Sequence, residues 1–128
     1  MPKKVTIMVF SGDFEKTYAA FNIANGAASM GMDVTMFFTF HGLNLLKKGT
    51  IQKLSNSEMG KMMSAKNLVP LEKQFEDAKE LGIKFIACET TMDAMGVKKD
   101  DLIEEVSEIA AVGTYVYNAK NSQINLFI

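Results

Sequence analysis

Apolar runs and amphipathic stretches alternate along the chain. Three short runs, each followed by a polar turn, are typical of strands buried on both faces of a parallel sheet; they are residues 5–10, 34–40 and 83–87. Between and after them lie stretches whose apolar residues are three or four positions apart, the spacing of one helix face. This pattern predicts a parallel sheet with helices on both faces and right-handed crossovers.

Two helices between these runs have clear ends. The first spans about residues 13–30, and Gly31 follows at a position that favours a left-handed residue. The second begins near Pro70, which suits a first helical turn, and Gly82 closes it. Each helix therefore connects predicted strands.

The elements of the C-terminal part are shorter. Thr90 and Asp93 have the spacing of a capping box, which predicts a short helix that starts at this point. A short strand near residues 105–106 precedes a helix face that the apolar spacing places over residues 109–119. Residues 123–128 then form a closing strand.

Residues 49–67 show neither a helical nor a strand period. The segment holds Met59, Met62 and Met63 together with lysines and glycines. We interpret it as a long loop without regular structure, and a loop of that length in a compact domain is often functional. It is a candidate lid over a site, or a docking loop for a partner.

Composition excludes several classes of protein. The 128 residues suffice for one domain, spanning 1–128, with one sizeable core. A formal net charge of −1 argues against a nucleic-acid binder. One cysteine and one histidine allow neither an internal disulfide nor a thiolate or multi-histidine metal centre. No apolar run is long enough to span a membrane, so we expect a cytoplasmic protein without metal or cofactor, whose thiol stays reduced.

Cys88 is the candidate reactive residue because it lies between a strand and a helix start. Free N–H groups at a helix N-terminus favour a thiolate, whereas the neighbouring carboxylate of Glu89 opposes it. Thr90 and Thr91 are candidate ligand-binding residues beside it. His41, at the end of the second run, is a candidate to share the proton of Cys88, as in Cys–His nucleophile pairs. An inert buried thiol and an exposed turn histidine are the alternatives.

A second candidate group follows the first strand. Ser11, Gly12 and Asp13 offer backbone N–H groups to an anion, although a plain turn and helix cap explains them more simply. The turn carries no complete phosphate-binding fingerprint. Because parallel strands end at one edge of the sheet, we expect this turn to converge with His41 and Cys88.

Two long segments and the ending carry a family resemblance. They read SGDFEKTYAAFNIANGAASMGMDVTMFFTFHGLNLLKKG, FIACETTMDAMGVKKDDLIEEV and NLFI. They resemble the DsrE/DsrF-like sulfur-relay family, in particular the subfamily with a single motif cysteine and a methionine-containing central loop. The resemblance implies a three-layer α/β/α sandwich with a mostly parallel, about five-stranded sheet. Cys88 matches the sulfur-accepting cysteine, while His41 stands where tryptophan is expected and residues 89–91 also depart from the family's pattern.

The resemblance implies an intracellular sulfur carrier or sulfurtransferase that accepts persulfide sulfur on Cys88. Sulfur donor and acceptor proteins are the implied partners, and a homo-oligomer is expected because Leu126, Phe127 and Ile128 form an apolar ending. One alternative is a non-catalytic module that binds a nucleotide, flavin or small anion, or only supports assembly, with a structural cysteine. Another is a thiol peroxidase, which would depend on an external thiol because no resolving cysteine is present.

Overall fold

A computed structural model describes residues 2–128, which build one sheet and the helices around it. The strands are β1 (Lys4–Val9), β2 (Asp33–Phe38), β3 (Lys84–Cys88), β4 (Val106–Ala110) and β5 (Ile124–Phe127). The α-helices are α1 (Phe14–Ser29), α2 (Thr50–Ser55), α3 (Glu58–Ala65), α4 (Leu71–Glu80), α5 (Glu89–Met95) and α6 (Val112–Lys120). Two 3₁₀ helices span Phe40–Leu46 and Lys99–Asp101.

The sheet has five parallel strands in the order β4-β3-β2-β1-β5. This confirms the predicted α/β class with a mostly parallel, about five-stranded sheet. The chain moves steadily from β1 to β4 and then returns across the whole sheet to β5. Because parallel crossovers are right-handed, this return places α6 on the face opposite the earlier helices.

The face of the sheet beneath α1 and α4 holds the main hydrophobic core, and we call it the thick face. Its strand residues include Val5, Ile7, Val9, Val34, Met36, Phe38, Phe85 and Ala87. Phe21 of α1 lies at its centre, with ring centroids 5.5 Å from Phe75 and 6.1 Å from Phe85. Such a cluster of buried aromatic rings supplies much of the apolar burial that stabilises the fold.

The opposite face has much less cover, and we call it the thin face. Its buried cluster consists of Met8, Phe37, Ile86, Cys88 and Ala110. Among residues 2–128 only α6 lies over it, and none of the residues of α6 is fully buried. Tyr115 is the helix residue that packs against the cluster, with its ring centroid 5.8 Å from that of Phe37. The side chains of Val116 and Tyr117 are mostly exposed.

The ends of α1 follow the sequence prediction. Asp13 is the N-cap and accepts a hydrogen bond from the Lys16 backbone N–H at 2.8 Å. Gly31 follows the helix with a φ of +84°, in the left-handed region that glycine adopts without strain. Within residues 2–128, no helix is both long and apolar enough to cross a membrane.

The prediction of an irregular loop over residues 49–67 is wrong, because α2 and α3 occupy most of this segment. Ile51 anchors α2 in the core, with 2% of its surface exposed. Ser57 caps α3 by accepting the Gly60 N–H at 3.2 Å. A Cβ at Gly60 would meet the Ser55 carbonyl oxygen, so glycine lets the two short helices touch. Because such contacts do not require apolar residues at regular spacing, the sequence of this segment shows no helical period.

Two boundaries near the C-terminal part also differ from the predictions. The N-cap of α5 is Cys88 rather than Thr90, so the predicted capping box does not form. Ile109 belongs to β4 rather than to a helix, and it pairs with Ala87 of β3. The strand ladder satisfies its backbone groups, and α6 begins only at Val112.

Candidate functional site

Cys88 is the last residue of β3 and the residue that precedes α5. Side chains alternate between the faces of a strand, so Phe85 and Ala87 face the thick face while Ile86 and Cys88 face the thin face. Only 5% of Cys88 is exposed. The thiol therefore lies in the thin face, at the sheet edge where the strands end.

Two threonine hydroxyls lie beside the thiol. Thr39 follows β2, and Thr91 lies in the first turn of α5. Their Oγ1 atoms are 3.1 Å apart, and the backbone N–H of Phe40 donates to Thr91 Oγ1 at 2.9 Å. The pairing of Phe38 with Ala87 aligns the ends of β2 and β3 and brings the two hydroxyls together.

The surroundings of Cys88 act on its pKa in opposite directions. Burial raises the pKa of the thiol, because a charged sulfur loses contact with water. Hydrogen bonds from the Thr91 and Thr39 hydroxyls, and from the backbone N–H groups of Thr91 and Thr90, lower it. The lowering prevails, so the pKa lies below the ordinary value for cysteine and the thiolate forms at lower pH than in an ordinary cysteine.

A cavity of about 290 Å³ opens over the thiol, and we call it the Cys88 cavity. Its lining consists of Met8, Phe10, Phe37, Thr39, Phe40, Cys88, Thr90, Thr91, Val112 and Phe127. The sequence singled out Cys88, Thr90 and Thr91. It missed the aromatic residues as site residues, although Phe10 and Phe40 are the last residues of the first two predicted runs. No residue of the segment 50–67 lines this cavity.

The other predicted site residues line a neighbouring space of about 430 Å³, which we call the polar cavity. Its lining consists of Phe10, Ser11, Gly12, Asp13, Lys16, His41 and Asn44. A hydrogen bond from the Lys16 backbone N–H lowers the pKa of Asp13. The structure thus brings Ser11, Gly12 and Asp13 together with His41, and brings Thr90 and Thr91 together with Cys88. Phe10 lines both cavities.

The part of the chain that the structure describes contains no group of side chains suited to bind a metal ion. Among residues 2–128, no three histidine, cysteine, aspartate or glutamate side chains gather closely enough to hold an ion. The chemistry available at the Cys88 cavity is that of a hydrogen-bonded thiol within apolar walls.

An all-parallel sheet with a hydrogen-bonded thiol at the end of an interior strand defines this chain as an α/β thiol protein. The family model of the DsrE/DsrF/DrsH-like family matches residues 1–63 and 48–127. The chain belongs to this family, which confirms the predicted membership.

Two relatives match along nearly their whole length. The uncharacterized protein YrkE of Bacillus subtilis is 33% identical, with 98% of this chain and 97% of that protein covered. The sulfur carrier protein DsrE2 of Allochromatium vinosum is 28% identical, with 98% of each covered. The alignments run over 156 and 157 positions, more than the 128 residues of this chain, so both relatives carry segments that it lacks.

Solved structures share the fold. The protein MTH1491 from Methanobacterium thermoautotrophicum superposes with a TM-score of 0.69 at 20% identity, covering 98% of this chain and 99% of that one. The ychN protein from E. coli gives a TM-score of 0.68 at 16% identity, with both chains fully covered. At such identities the likeness supports the fold alone.

Proposed function

We propose that the protein is a cytoplasmic sulfur carrier, which accepts persulfide sulfur on Cys88 and passes it to a partner protein. The observation that carries the proposal is the thiol itself, whose pKa is lowered by hydrogen bonds in spite of burial. Family membership supports sulfur relay, and the similarity to a sulfur carrier protein supports the carrier role. A lone thiol stays reduced in the cytoplasm, as the role requires.

The loading step is a thiol exchange without net oxidation. The Cys88 thiolate attacks the outer sulfur of a donor persulfide R–S–SH, and a new S–S bond forms. The bond between the two donor sulfurs breaks, and R–S⁻ leaves with the electron pair. The proton on the outer sulfur stays with it, so Cys88 becomes Cys88–S–SH.

The unloading step repeats this chemistry with the roles exchanged. An acceptor thiolate attacks the outer sulfur, and the Cys88 thiolate leaves with the electron pair. A thiol of low pKa is a good leaving group, so the hydrogen bonds that favour loading also favour release. One cysteine is sufficient because no internal disulfide is needed.

Thr91 and Thr39 are the groups that this proposal places around the reacting sulfur. The two hydroxyls and the N–H groups of Thr90 and Thr91 stabilise negative charge on Cys88 before and after each transfer. His41 and the turn of residues 11–13 lie in the polar cavity. In the proposed mechanism they do not handle the proton of Cys88.

Partners complete the proposal. We propose sulfur donor and acceptor proteins as substrates, and a homo-oligomer as the assembled form, with neither nucleic acid nor membrane involved. Of the apolar ending, Phe127 is 67% exposed, while Leu126 and Ile128 are partly buried against the main core. Because Phe127 also lines the Cys88 cavity, we propose that α6, with its exposed Val116, provides the surface for assembly.

Intact mass measurement after incubation with a persulfide donor tests the carrier function. Wild-type protein should gain the mass of one sulfur atom, and a reductant should remove it. The Cys88→Ser variant should gain nothing. Equal labelling of wild type and variant would contradict the proposal and favour a non-catalytic module in which Cys88 only packs.

A further inference from the structure

The walls of the Cys88 cavity carry no charge. Besides Cys88 and three threonines, its ten lining residues are all apolar: Met8, Phe10, Phe37, Phe40, Val112 and Phe127. The three threonines supply the polar groups, and two of them are already hydrogen-bonded near the sulfur. Because Cys88 is buried, a reactant reaches it through this apolar space.

Three of the aromatic rings that line the cavity lie close together. The ring centroid of Phe10 lies 5.3 Å from that of Phe40 and 5.3 Å from that of Phe127. All three side chains remain exposed, by 38%, 55% and 67%. Exposed aromatic rings grouped in this way usually mark a contact with a ligand or partner. The rings offer flat apolar surfaces within reach of the thiol.

Phe40 has a backbone conformation that is unfavourable for its residue type. Its φ is +47°, in the left-handed region that a bulky L-residue seldom adopts. A hydrogen bond from its N–H to Thr91 Oγ1 holds it there, and the same threonine contacts the sulfur of Cys88. Strain of this kind persists where the surrounding structure maintains it, and it is frequent at ligand sites.

Charged side chains lie on the other side of Phe10. Lys16 and Asp13 line the polar cavity and are absent from the lining of the Cys88 cavity. A charged arm that entered the Cys88 cavity would lose water without gaining a partner, which is unfavourable. An apolar arm would gain roughly 25 cal/mol for each Å² that it buries.

We propose that, besides a donor protein, Cys88 accepts sulfur from a small organic persulfide with an uncharged, compact alkyl or aryl arm held between Phe10, Phe40 and Phe127. This inference rests on the proposed carrier function and names its substrate class. The cavity of about 290 Å³ is just smaller than pockets for drug-sized ligands, which start at roughly 300 Å³. It is also about twice the roughly 150 Å³ of an apolar cavity that binds benzene.

The apolar walls also suit the chemistry of the step. The outer sulfur must accept an electron pair, so the donor reacts as the neutral R–S–SH. A second anion beside the Cys88 thiolate would be repelled, and the low polarity strengthens that repulsion. The leaving R–S⁻ takes up a proton from water as it leaves the cavity.

The test compares two donors on the intact protein. Benzyl persulfide has a neutral apolar arm, whereas glutathione persulfide has a charged one. Loading of Cys88 is followed by intact mass, and each rate is divided by the rate of the same donor with a free small thiol. We expect the corrected rate for benzyl persulfide to exceed that for glutathione persulfide by about tenfold, the effect of about 1.4 kcal/mol.

Variants of Phe40 test whether its aromatic ring causes the preference for the apolar donor. Phe40→Ala should reduce the ratio between the donors to near one, and Phe40→Leu should retain part of it. Phe40→Gly also removes the ring but relieves the positive φ, so it keeps the test valid if the alanine variant folds poorly. Leu81→Ala is the matched control, because Leu81 is an exposed apolar residue, 43% accessible, outside the cavity and outside α6. It should leave the ratio unchanged.

The outcomes separate the two proposals. Equal corrected rates, or faster loading from glutathione persulfide, would overturn the apolar-donor inference and leave the carrier function standing. A preference that survives in both Phe40→Ala and Phe40→Gly would also overturn it. Absence of loading from either donor and from inorganic hydrogen persulfide would instead overturn the carrier function.

Discussion

The thick face and the thin face of the same sheet carry very different amounts of cover. Among residues 2–128, the main cluster contains 22 buried residues and the cluster of the thin face contains five. Phe21 of α1 lies fully buried over one face, whereas α6 has no fully buried residue over the other. The thick face supplies most of the stability, and the thin face holds the Cys88 thiol beside a cavity.

The Cys88 thiol lies on the face of the sheet that contributes less to the stability of the fold. A thiolate needs donors and an open path, and both interrupt close packing. On the thin face, Cys88 has hydroxyl and N–H donors on one side and a cavity on the other. A cavity of that size in the thick face would remove contacts from the main core, with a loss of stability that grows with its volume.

Phe38 and Phe37 offer the sharpest test of this comparison. They are adjacent in β2, nearly fully buried, and point to the thick and thin faces respectively. Phe38→Ala should lower the free energy of unfolding by about 3–5 kcal/mol. Phe37→Ala should lower it by about 3 kcal/mol or less, because the loosely covered face relaxes or admits water. Denaturant unfolding of both variants measures the difference, and a larger loss for Phe37→Ala would break the comparison.

Substitution of Thr91 tests whether its hydroxyl, on the thin face, lowers the pKa of Cys88. Thr91→Val removes a hydrogen bond to Cys88, so thiolate should form at higher pH than in wild type. The rate of alkylation by iodoacetamide as a function of pH measures the midpoint, which in wild type should lie below the value of about 8.5 for free cysteine. The variant also leaves the Phe40 N–H without its acceptor, at a cost of about 1–3 kcal/mol.

Thr91→Ser is the control for this measurement, because it retains the hydroxyl. Its alkylation midpoint should stay close to that of wild type. If Thr91→Val and wild type titrate at the same pH, the hydroxyl does not stabilise the thiolate, and the contrast between the faces reduces to one of packing.

Val116 should have the smallest effect on stability. It lies on α6 and is 55% exposed, so Val116→Lys should change the free energy of unfolding by less than about 0.5 kcal/mol. Because the proposed homo-oligomer uses α6, which covers the thin face, this substitution should nevertheless dissociate the oligomer, as light scattering would show. Met30→Lys is the matched control, since Met30 is an exposed apolar residue at the end of α1. A wild type of only 14.1 kDa at micromolar concentration would contradict the proposed assembly.

The sequence predicted the elements whose signals are local. Continuous apolar runs marked the first three strands, and Asp13 and Gly31 marked the ends of α1. Helices α2 and α3 were missed because tertiary contacts rather than an apolar period hold them, such as the approach of Gly60 to the Ser55 carbonyl. Ile109 was assigned to a helix because its spacing from Val112 imitates one turn.

The candidate site was predictable only in part, for a similar reason. The position of Cys88 after a strand was visible in the sequence. The contact between Thr39 and Thr91 joins residues 52 positions apart, and it depends on the register of β2 against β3. Phe127 arrives from a strand at the far edge of the sheet order. The sequence pattern of one strand does not show which residues of other elements will lie beside it.

The pairing of β1 with β5 has a consequence for kinetics. Val5 pairs with Ile124, and the Lys4 N–H donates to Gln123 across 119 positions of sequence. Contacts so distant in sequence carry a large loop-closure entropy, so we expect β5 to join late in folding and its substitutions to act mainly on the unfolding rate. Since β5 brings Phe127 to the Cys88 cavity, the frequency with which one short edge strand detaches would set how fast bulky reagents reach the thiol.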